Sequence, residues 1–283
     1  MKTQSIDTSP DAERVLIGMI RQAPLSQRFN FVDAWSRSIL SAGRLDAQSL
    51  YPQASEHEIC FLHAQRYLDK ASVDQLREAS AARSVFPQTP PPALLSVLLP
   101  LVEALEDLGI AYALTGSLAS SLYGMQRATV QLALLAALGP QHETAFYQRL
   151  GPAFVLRSSE LQTALATGKS FSVVHLRSLL QLTVRLPNAR LGEPEMLGRA
   201  RSLVLAEESP SLQVLSAEDA VLLHVEQFRQ SGGRADDLWY DVLGILKVQG
   251  TELDLVMLEQ RAADLDLASL MHQAFVDAGL VDQ

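Results

Sequence analysis

Cysteine is almost absent from the sequence, with Cys60 as its single instance. One cysteine cannot build a disulfide framework or a cysteine-rich metal cluster within one chain, and such usage fits a reducing compartment. We therefore expect a cytoplasmic protein. Cys60 lies between Ile59 and Phe61 on a predicted helix, and we expect it to be buried in the core rather than to act as a reactive thiol.

Basic residues and long apolar runs are also scarce. The chain has 23 Lys and Arg against 32 Asp and Glu, a net charge of −9, and shows no basic cluster that would neutralise nucleic-acid phosphates. The longest apolar stretches, such as 132–138, are far shorter than the roughly 20 residues that span a bilayer. Residues 1–11 are polar and lack the apolar core of a secretory signal. We expect neither a nucleic-acid partner nor a membrane location.

Acidic residues are missing from two long stretches of the chain. None occurs between Asp107 and Glu143, and none occurs between Glu160 and Glu193. Hard divalent cations such as Mg²⁺ take oxygen ligands, mainly carboxylates. A metal site built from carboxylates within either stretch is therefore excluded.

The composition is otherwise that of a globular protein, with 48% hydrophobic residues in 283, enough for two domains of roughly 100–200 residues each. Four prolines stand in Phe86–Pro92, where they stop a helix and favour an extended linker. We predict a helical N-terminal domain over 1–85, a linker over 86–92, an α/β core over 93–190 and a helical C-terminal subdomain over 191–283.

The first 85 residues show helical periodicity. Helices are predicted over 13–22, 26–42 and 72–82, and another begins at Ser55, whose sequence Ser-Glu-His-Glu is typical of a capping box. The first helix is expected to bury one face, made of Val15, Leu16, Met19 and Ile20. The second is expected to bury Phe29, Val32, Trp35, Ser36 and Ile39. We expect the aromatic residues on these faces to lie in the core.

Beyond the proline segment, strands alternate with helices. Strands are predicted over 110–115, 129–138, 154–157, 171–176 and 180–186, and helices over 93–108, 116–123, 141–150 and 159–167. From Glu193 onward the chain is predicted to be mostly helical, and Ser216 opens the best-marked helix. This order predicts an α/β (α+β) fold, a mixed sheet with helices and a helical C-terminal subdomain, preceded by a small helical bundle.

A short motif follows the first predicted strand. Gly116-Ser117 opens a helix of small residues, and Arg127-Ala128-Thr129 comes next. A glycine lets the backbone approach a triphosphate, while a serine hydroxyl and a helix N-terminus donate hydrogen bonds to anionic oxygens. The segment resembles the minimal nucleotidyltransferase superfamily, which includes AbiEii-like bacterial proteins. The resemblance continues through 170–176, 216–229, 239–246 and 253–263 and covers about 94–279. The N-terminal helices resemble, more loosely, a module that some bacterial members carry ahead of this domain.

The resemblance implies three metal-binding aspartates, two of them one residue apart on the strand after Arg-Ala-Thr and the third on a neighbouring strand. At these positions the chain has Gln131, Ala133 and Thr183. Transfer through two metals needs divalent ions about 3.5–4 Å apart, held by oxygen ligands. Because no acidic residue occurs nearby in the sequence, a small shift in alignment does not restore the carboxylates. The resemblance thus implies a degenerate member with no catalytic residue and no metal site.

Four residues of the motif and its surroundings are candidates for binding a ligand. Gly116 and Ser117 either keep a phosphate site or serve as a tight turn and helix cap. Arg127 either pairs with an acidic neighbour or binds an anion, and His224 stands where the family has a lysine that could meet phosphate. His175, flanked by apolar residues on a predicted strand, is expected to be a structural histidine held by hydrogen bonds.

The strand after Arg127 is unusually apolar. It carries Val130, Leu132, Leu134, Leu135 and Leu138. If these residues form the floor of the former cleft, that floor is apolar rather than charged, which suits a packed core or a docking surface.

We therefore expect a catalytically inactive nucleotidyltransferase-fold protein without a cofactor. It would bind a protein partner, of unknown identity, as a regulator, adaptor or assembly subunit, and a homo-oligomer is left open. The alternative is an active or nucleotide-sensing nucleotidyltransferase with a rearranged site, which would use ATP with Mg²⁺ and remote acids such as Glu193, Glu218 or Asp219.

Overall fold

The computed structural model describes residues 2–4 and 7–281. Residues 1, 5 and 6 of the polar N-terminal segment lie outside this range. Among the described residues there are thirteen α-helices and a mixed sheet of seven strands, which confirms the predicted α/β (α+β) class. No described helix joins enough length with enough apolar character to cross a bilayer.

The helices account for most of the regular structure. In chain order they are α1 (Pro10–Gln22), α2 (Leu25–Leu50), α3 (Glu56–Ala64), α4 (Lys70–Arg83), α5 (Leu94–Asp107), α6 (Gly116–Tyr123), α7 (Glu143–Arg149), α8 (Ser158–Thr167), α9 (Glu193–Gly198), α10 (Ala217–Gln230), α11 (Asp236–Gln249), α12 (Leu255–Asp264) and α13 (Ala268–Ala278). The predicted caps are confirmed, because Ser55 Oγ accepts from the backbone of Glu58 and Ser216 Oγ accepts from that of Asp219.

The strands are β1 (Tyr112–Thr115), β2 (Gln131–Ala136), β3 (Phe154–Val155), β4 (Phe171–His175), β5 (Gln181–Arg185), β6 (Arg201–Val204) and β7 (Ser211–Val214). The described chain forms two compact units. Unit 1 draws on residues 1–32, 113–127 and 189–283, and unit 2 on 33–112 and 128–188. Because both units are built from segments that alternate along the chain, they do not test the four-part division made from the sequence, which stays a prediction.

Unit 2 contains four strands in the order β3–β4–β5–β2. β4 is antiparallel to both β3 and β5, whereas β5 and β2 run parallel. One hydrophobic cluster joins α3 and α4 to the strands and includes Phe61, Leu76 and Leu176. Cys60 belongs to this cluster and is 1% exposed, which confirms that it is a core residue.

The proline segment 86–92 contains neither helix nor strand, as predicted. It is nevertheless tied to unit 2, since the backbone N–H of Gln88 donates to the carbonyl of Arg177 at 2.7 Å and Arg44 donates to the carbonyl of Gln88. Pro87 and Pro91 are buried. These two hydrogen bonds hold the segment against unit 2.

Unit 1 contains β1, β7 and β6, with β1 parallel to β7 and β6 antiparallel to it. The chain after Glu193 is mostly helical, as predicted, with α9 to α13, but the β6–β7 hairpin within it was not predicted. Leu212 and Val214 are fully buried, while Ser211 is exposed. This alternation is the period of a strand with one buried face, and the segment between the two strands carries turn-forming residues that end in Pro210.

The buried face of α1 differs from the predicted one. Val15, Leu16 and Met19 are 66%, 42% and 64% exposed, whereas Ile17 and Ile20 are buried against Val248. A charged residue causes the difference. Glu13 lies on the same face as Ile17 and Ile20 and is 1% exposed, because its carboxylate meets the ammonium of a buried lysine in α11.

The predicted face of α2 is wrong in two positions. Phe29, Val32 and Ser36 are buried as expected, but Trp35 and Ile39 are 43% and 45% exposed. Leu40 completes the buried stripe and is 1% exposed. The true stripe therefore runs through 29, 32, 36 and 40, a helical spacing of three and four residues.

Candidate functional site

The turn at Gly116 joins β1 to α6 in unit 1. Gly116 has φ +67°, a left-handed conformation that glycine adopts without the steric penalty of other residues. Ser117 is half-buried in the first turn of α6. Thr115, just before the turn, is 1% exposed, and its Oγ1 has no hydrogen-bond partner in the described part of the chain. The local geometry is thus that of a tight strand-to-helix turn, as the sequence predicts.

Arg127 forms a two-pronged ion pair with Asp241 of α11. Its Nε and Nη2 donate to the two carboxylate oxygens of Asp241, each at 2.7 Å. Asp237 lies 3.9 Å away and adds a second negative charge. Burial opposes the charge on Arg127, but the hydrogen bonds and charge of Asp241 outweigh it and raise the pKa of the guanidinium. The sequence left two roles open for Arg127, pairing with an acidic residue or binding an anion, and the structure shows the pairing, with Asp241.

His224 lies inside unit 1, where it is 1% exposed. Its Nδ1 donates to the carbonyl of Ala220 at 2.6 Å, since a carbonyl can only accept. Burial lowers the pKa of His224, so the ring is neutral, and its Nε2 lies 3.1 Å from Ser120 Oγ. A buried, neutral imidazole carries no positive charge for a phosphate.

Ser120 and Asp241 were not predicted as site residues, yet they join the candidates of unit 1 into one polar network. Ser120 Oγ lies 3.0 Å from the carbonyl oxygen of Gly116, in addition to its contact with His224. Asp241 Oδ2 lies 3.7 Å from His224 Nε2 while it holds Arg127. The chain of contacts runs from the Gly116 turn through Ser120, His224 and Asp241 to Arg127.

This network is not a nucleophile relay. In a serine–histidine–aspartate triad the aspartate holds Nδ1 while Nε2 takes the serine proton. Here Nδ1 is occupied by the carbonyl of Ala220, and Asp241 lies on the Nε2 side of His224. Ser120 is itself 1% exposed, so no substrate reaches its hydroxyl without rearrangement. The network ties α6 to α10 and α11.

Small residues allow this close approach of helices in unit 1. A Cβ at Gly124, which ends α6, would lie 2.6 Å from the backbone carbon of Gly244 in α11. Such a distance is too short for any side chain. Gly124 therefore sets the separation at which Asp241 of α11 reaches Arg127.

The three positions that align with the metal-binding aspartates lie together in unit 2. Ala133 of β2 is the register partner of Thr183 of β5 in the parallel pair. Gln131 lies two residues before Ala133 and so points to the same face of the sheet. Gln131 is exposed, and Ala133 and Thr183 are half-buried. The sheet face thus presents an amide, a methyl group and a hydroxyl where the resemblance implies three carboxylates.

The apolar residues of β2 point the other way. Leu132 and Leu134 are 1% and 0% exposed and alternate with Gln131 and Ala133. They belong to the core, so of the two alternatives predicted for these residues, a packed core or a docking surface, the packed core is confirmed. Its open face is instead polar and neutral, and the next strand continues it with Gln181, whose amide donates to Ser172 Oγ at 2.6 Å.

His175 of β4 is a structural histidine, as predicted. Its Nδ1 lies 3.0 Å from Ser178 Oγ, and it is 5% exposed. Burial, and next the positive charge of Arg177, lower the pKa of His175 to about 4. Within residues 2–4 and 7–281 no group of three or more His, Cys, Asp or Glu side chains is arranged to hold a metal ion.

Comparison with known proteins gives the chain no family. No protein-family model matches the sequence, and no curated protein matches it significantly.

Proposed function

We propose that this chain is a catalytically inactive nucleotidyltransferase-fold protein that acts by binding a protein partner, as a regulator, adaptor or assembly subunit. One observation carries the proposal. Ala133 and Thr183 stand opposite each other on adjacent strands, with Gln131 on the same face, at the positions where the resemblance implies three aspartates.

The chemistry of the side chains at that face argues against phosphoryl transfer there. Two divalent ions about 3.5–4 Å apart must bind the triphosphate, activate the attacking hydroxyl and stabilise the leaving group. Ions of this kind need charged oxygen ligands. An amide and a hydroxyl provide neutral oxygens, and the methyl group of Ala133 provides none.

The basic part of the motif supports the same proposal. Arg127 gives two of its hydrogen bonds to Asp241, which is itself buried, and His224 is neutral and enclosed. Both side chains therefore stabilise the packing of unit 1. The chain keeps the Gly116 turn and the internal polar network, while the positions of the metal ligands are neutral. We expect this combination in a protein that binds a partner and does not catalyse nucleotidyl transfer.

A nucleotide-sensing role is the alternative, and one observation favours it. The buried Oγ1 of Thr115 has no partner, and it lies beside the Gly116 turn at the N-terminus of α6. Helix N-termini bind anions through free N–H groups and the helix dipole. A sensor of this kind would be stabilised by ATP without Mg²⁺, whereas an active enzyme would need the metal.

A nucleotidyl-transfer assay tests the inactive assignment. The purified chain is incubated with each radiolabelled nucleoside triphosphate and Mg²⁺ or Mn²⁺, and we expect no incorporation into protein or RNA acceptors. Metal-dependent incorporation that is lost in Ser117→Ala would refute the proposal. A rise in melting temperature with ATP alone would favour the sensor instead.

A gain-of-site variant tests the assignment of the three positions. We expect Gln131→Asp, Ala133→Asp and Thr183→Asp together to create a Mn²⁺ site detectable by electron paramagnetic resonance, because the three carboxylates would share one sheet face. The matched control replaces the same residues with asparagine and should bind no ion. Equal binding by both variants would show that these positions do not correspond to a metal site.

The partner is tested by purification from the native source under mild conditions, followed by light scattering on the eluted species. We expect a second protein in a simple stoichiometric ratio with this chain. A monodisperse species of this chain alone would contradict the adaptor role and, if larger than 30.9 kDa, would indicate self-association.

A further inference from the structure

The helix α2 carries a second stripe of side chains, on the side that faces solvent. In unit 2, which α2 enters at Asp33, the inner stripe runs through Ser36, Leu40 and Ala47, and all three are buried. The stripe on the other side is exposed at every position. We call it the outer seam, and it consists of Trp35, Ser38, Ala42, Leu45 and Ser49. Leu45 is 69% exposed, although the solvent side of a helix normally carries polar or charged residues.

The spacing of the outer seam is that of a helix that packs against another helix. Its members follow one another at intervals of three, four, three and four residues, which are the a and d positions of a heptad repeat. An average interval of 3.5 residues keeps one side of a helix turned toward a partner helix along its length. The outer seam therefore predicts a second helix lying along α2.

No charged side chain interrupts the outer seam. Four charged residues belong to α2 within unit 2, and all lie elsewhere on the helix. Asp33 and Arg44 are buried, Arg37 pairs with Asp33, and Asp46 pairs with Arg66. Because no charge has to leave water when the outer seam is covered, the seam suits burial against an equally neutral surface.

The two serines of the outer seam are satisfied within α2 itself. Ser38 Oγ donates to the carbonyl of Ala34 at 2.8 Å, and Ser49 Oγ donates to the carbonyl of Leu45 at 3.0 Å. A hydroxyl bonded in this way can be covered without leaving its proton unpaired. Packing a helix on the outer seam therefore strands no serine donor.

The outer seam is complementary to an antiparallel copy of itself. A two-fold interface uses the same patch on both copies, so that residue i meets j and residue j meets i. With the axis beside position 40, Ser38 lies opposite Ala42 of the second copy, and Trp35 lies opposite Leu45. Small residues then meet at the centre, where they let the helices approach closely, and large residues meet at both ends.

The charge of the chain also favours a second copy at this face. Each chain has a net charge of −9, so two copies repel one another, and a seam without charge adds nothing to that repulsion. A nucleic acid or an anionic membrane surface would need basic side chains, which the outer seam lacks.

We propose that the outer seam of α2 binds the outer seam of a second copy of this chain, antiparallel about position 40, and that the protein forms a homodimer in this way. The inference goes beyond the proposed function and does not depend on the nucleotidyltransferase resemblance. It rests on the part of α2 that belongs to unit 2.

The size of the contact sets the expected strength of the dimer. Residues 33–50 form a helix about 27 Å long and about 10–12 Å across, so one half of its surface is roughly 450 Å². Two copies then bury about 900 Å², which is the range of weak and transient complexes. We therefore expect a reversible dimer with a micromolar dissociation constant.

Sedimentation equilibrium of the purified full chain, from micromolar to near-millimolar concentration, tests the proposal. We expect the average mass to rise with concentration from 30.9 kDa toward twice that value. Added NaCl should strengthen the association or leave it unchanged, because salt screens the repulsion between the two acidic chains.

Variants at the seam place the contact on α2. Ala42→Glu and Leu45→Glu should each weaken the association at least about tenfold, because each buries a charge against neutral side chains. Both positions are exposed, so the fold does not depend on them. The matched controls add the same charge elsewhere, Gln48→Glu on α2 outside the outer seam and Val256→Glu at a valine that is 63% exposed, and should leave the association unchanged.

A spin label on Gln48→Cys measures the orientation of the two helices. Cys60 is 1% exposed, so the label attaches at position 48. Position 48 is eight residues from the centre at 40, so two labels in the antiparallel dimer lie sixteen residues, or about 24 Å, apart along the helices. A parallel pair would bring them level, at about the 8–10 Å that separates packed helices.

Four results would overturn the proposal. The first is a mass that stays at 30.9 kDa over the whole concentration range, which would leave the outer seam to a different protein or to solvent. The second is association that Ala42→Glu and Leu45→Glu retain, or that the two control variants lose equally. The third is dissociation by NaCl, which would indicate a charged interface. The fourth is a pair of labels at the same level.

Discussion

Replacing Glu13 with alanine leaves the ammonium group of Lys247 buried in unit 1 without its counter-ion. Lys247 Nζ lies 3.2 Å from each carboxylate oxygen of Glu13, and both side chains are 1% exposed. The same carboxylate accepts from the backbone N–H of Gln4 at 2.8 Å. Removing one partner of a buried ion pair typically costs about 3–5 kcal/mol, because the other charge stays desolvated.

Urea unfolding followed by circular dichroism measures this loss. With a slope of about 2 kcal/mol per molar urea, a loss of about 4 kcal/mol lowers the midpoint by about 2 M. The double variant Glu13→Leu with Lys247→Met should recover most of the stability, since replacing both charges by apolar groups is often neutral or better. Arg14→Gln, on the exposed side of the same helix, should change stability by no more than about 0.5 kcal/mol.

The pH dependence of the Glu13→Ala variant checks the physical cause. Desolvation lowers the pKa of Lys247, while the charge of Glu13 raises it, so the variant lowers that pKa further. Between this lowered pKa and the ordinary lysine pKa of about 10.4, the unfolded chain then binds more protons than the folded chain. Stability of the variant should therefore rise as pH increases toward that value. The reasoning is refuted if the single variant loses under about 1 kcal/mol, or if the double variant is as unstable as the single one.

Three further outcomes are expected. Leu134→Ala should lower the free energy of unfolding in urea by about 2–5 kcal/mol because it leaves a cavity in the core. Gln131→Ala, on the open face of the same strand, should change it by no more than about 0.5 kcal/mol, and equal losses would contradict the assigned faces of β2. Asp241→Asn should lower the free energy of unfolding by about 1–3 kcal/mol, because it weakens the charged hydrogen bonds to Arg127. Thermal unfolding of the variant and of the unchanged chain at several salt concentrations measures this loss, and equal stability of the two would show that the ion pair is unimportant. The pKa of His175 is about 4 in the folded chain and about 6.5 in the unfolded chain, so as pH falls from 6.5 to 4 the unfolded chain takes up the proton first and the free energy of unfolding decreases. His175→Gln should make this decrease with pH smaller, and an unchanged decrease would exclude His175 as its source.

The local signals in the sequence predicted much of the fold. Ser55 and Ser216 cap helices as their capping-box patterns indicate, and Gly116 ends a strand and opens a helix with the positive φ that its residue type favours. The alternation in the strands also placed Gln131 and Ala133 on one face. These features depend on residues close in sequence, which is why a single sequence carries them.

Contacts between residues far apart in sequence were not predictable in the same way. The face of α1 is set by the pairing of Glu13 with Lys247, and nothing near Glu13 indicates a partner 234 residues away. Asp241 lies in the segment 239–246, which carries part of the resemblance, but the sequence does not indicate its contact with Arg127. That contact depends on the close approach of α6 and α11 at Gly124 and Gly244. The β6–β7 hairpin does have a signal, the two-residue alternation around Leu212, but strands of four residues are too short to stand out among the neighbouring helices.

The pattern by which unit 1 draws on three separate parts of the chain has a consequence for its synthesis. Lys247, which neutralises the buried glutamate of α1, is made 234 residues after it. At about 5–20 residues per second this delay is roughly 12–47 seconds. During that time Val248, against which Ile17 and Ile20 pack, is also still to be made. Unit 1 therefore completes its packing only after α11 has been made, and until then the glutamate of α1 lacks its counter-ion.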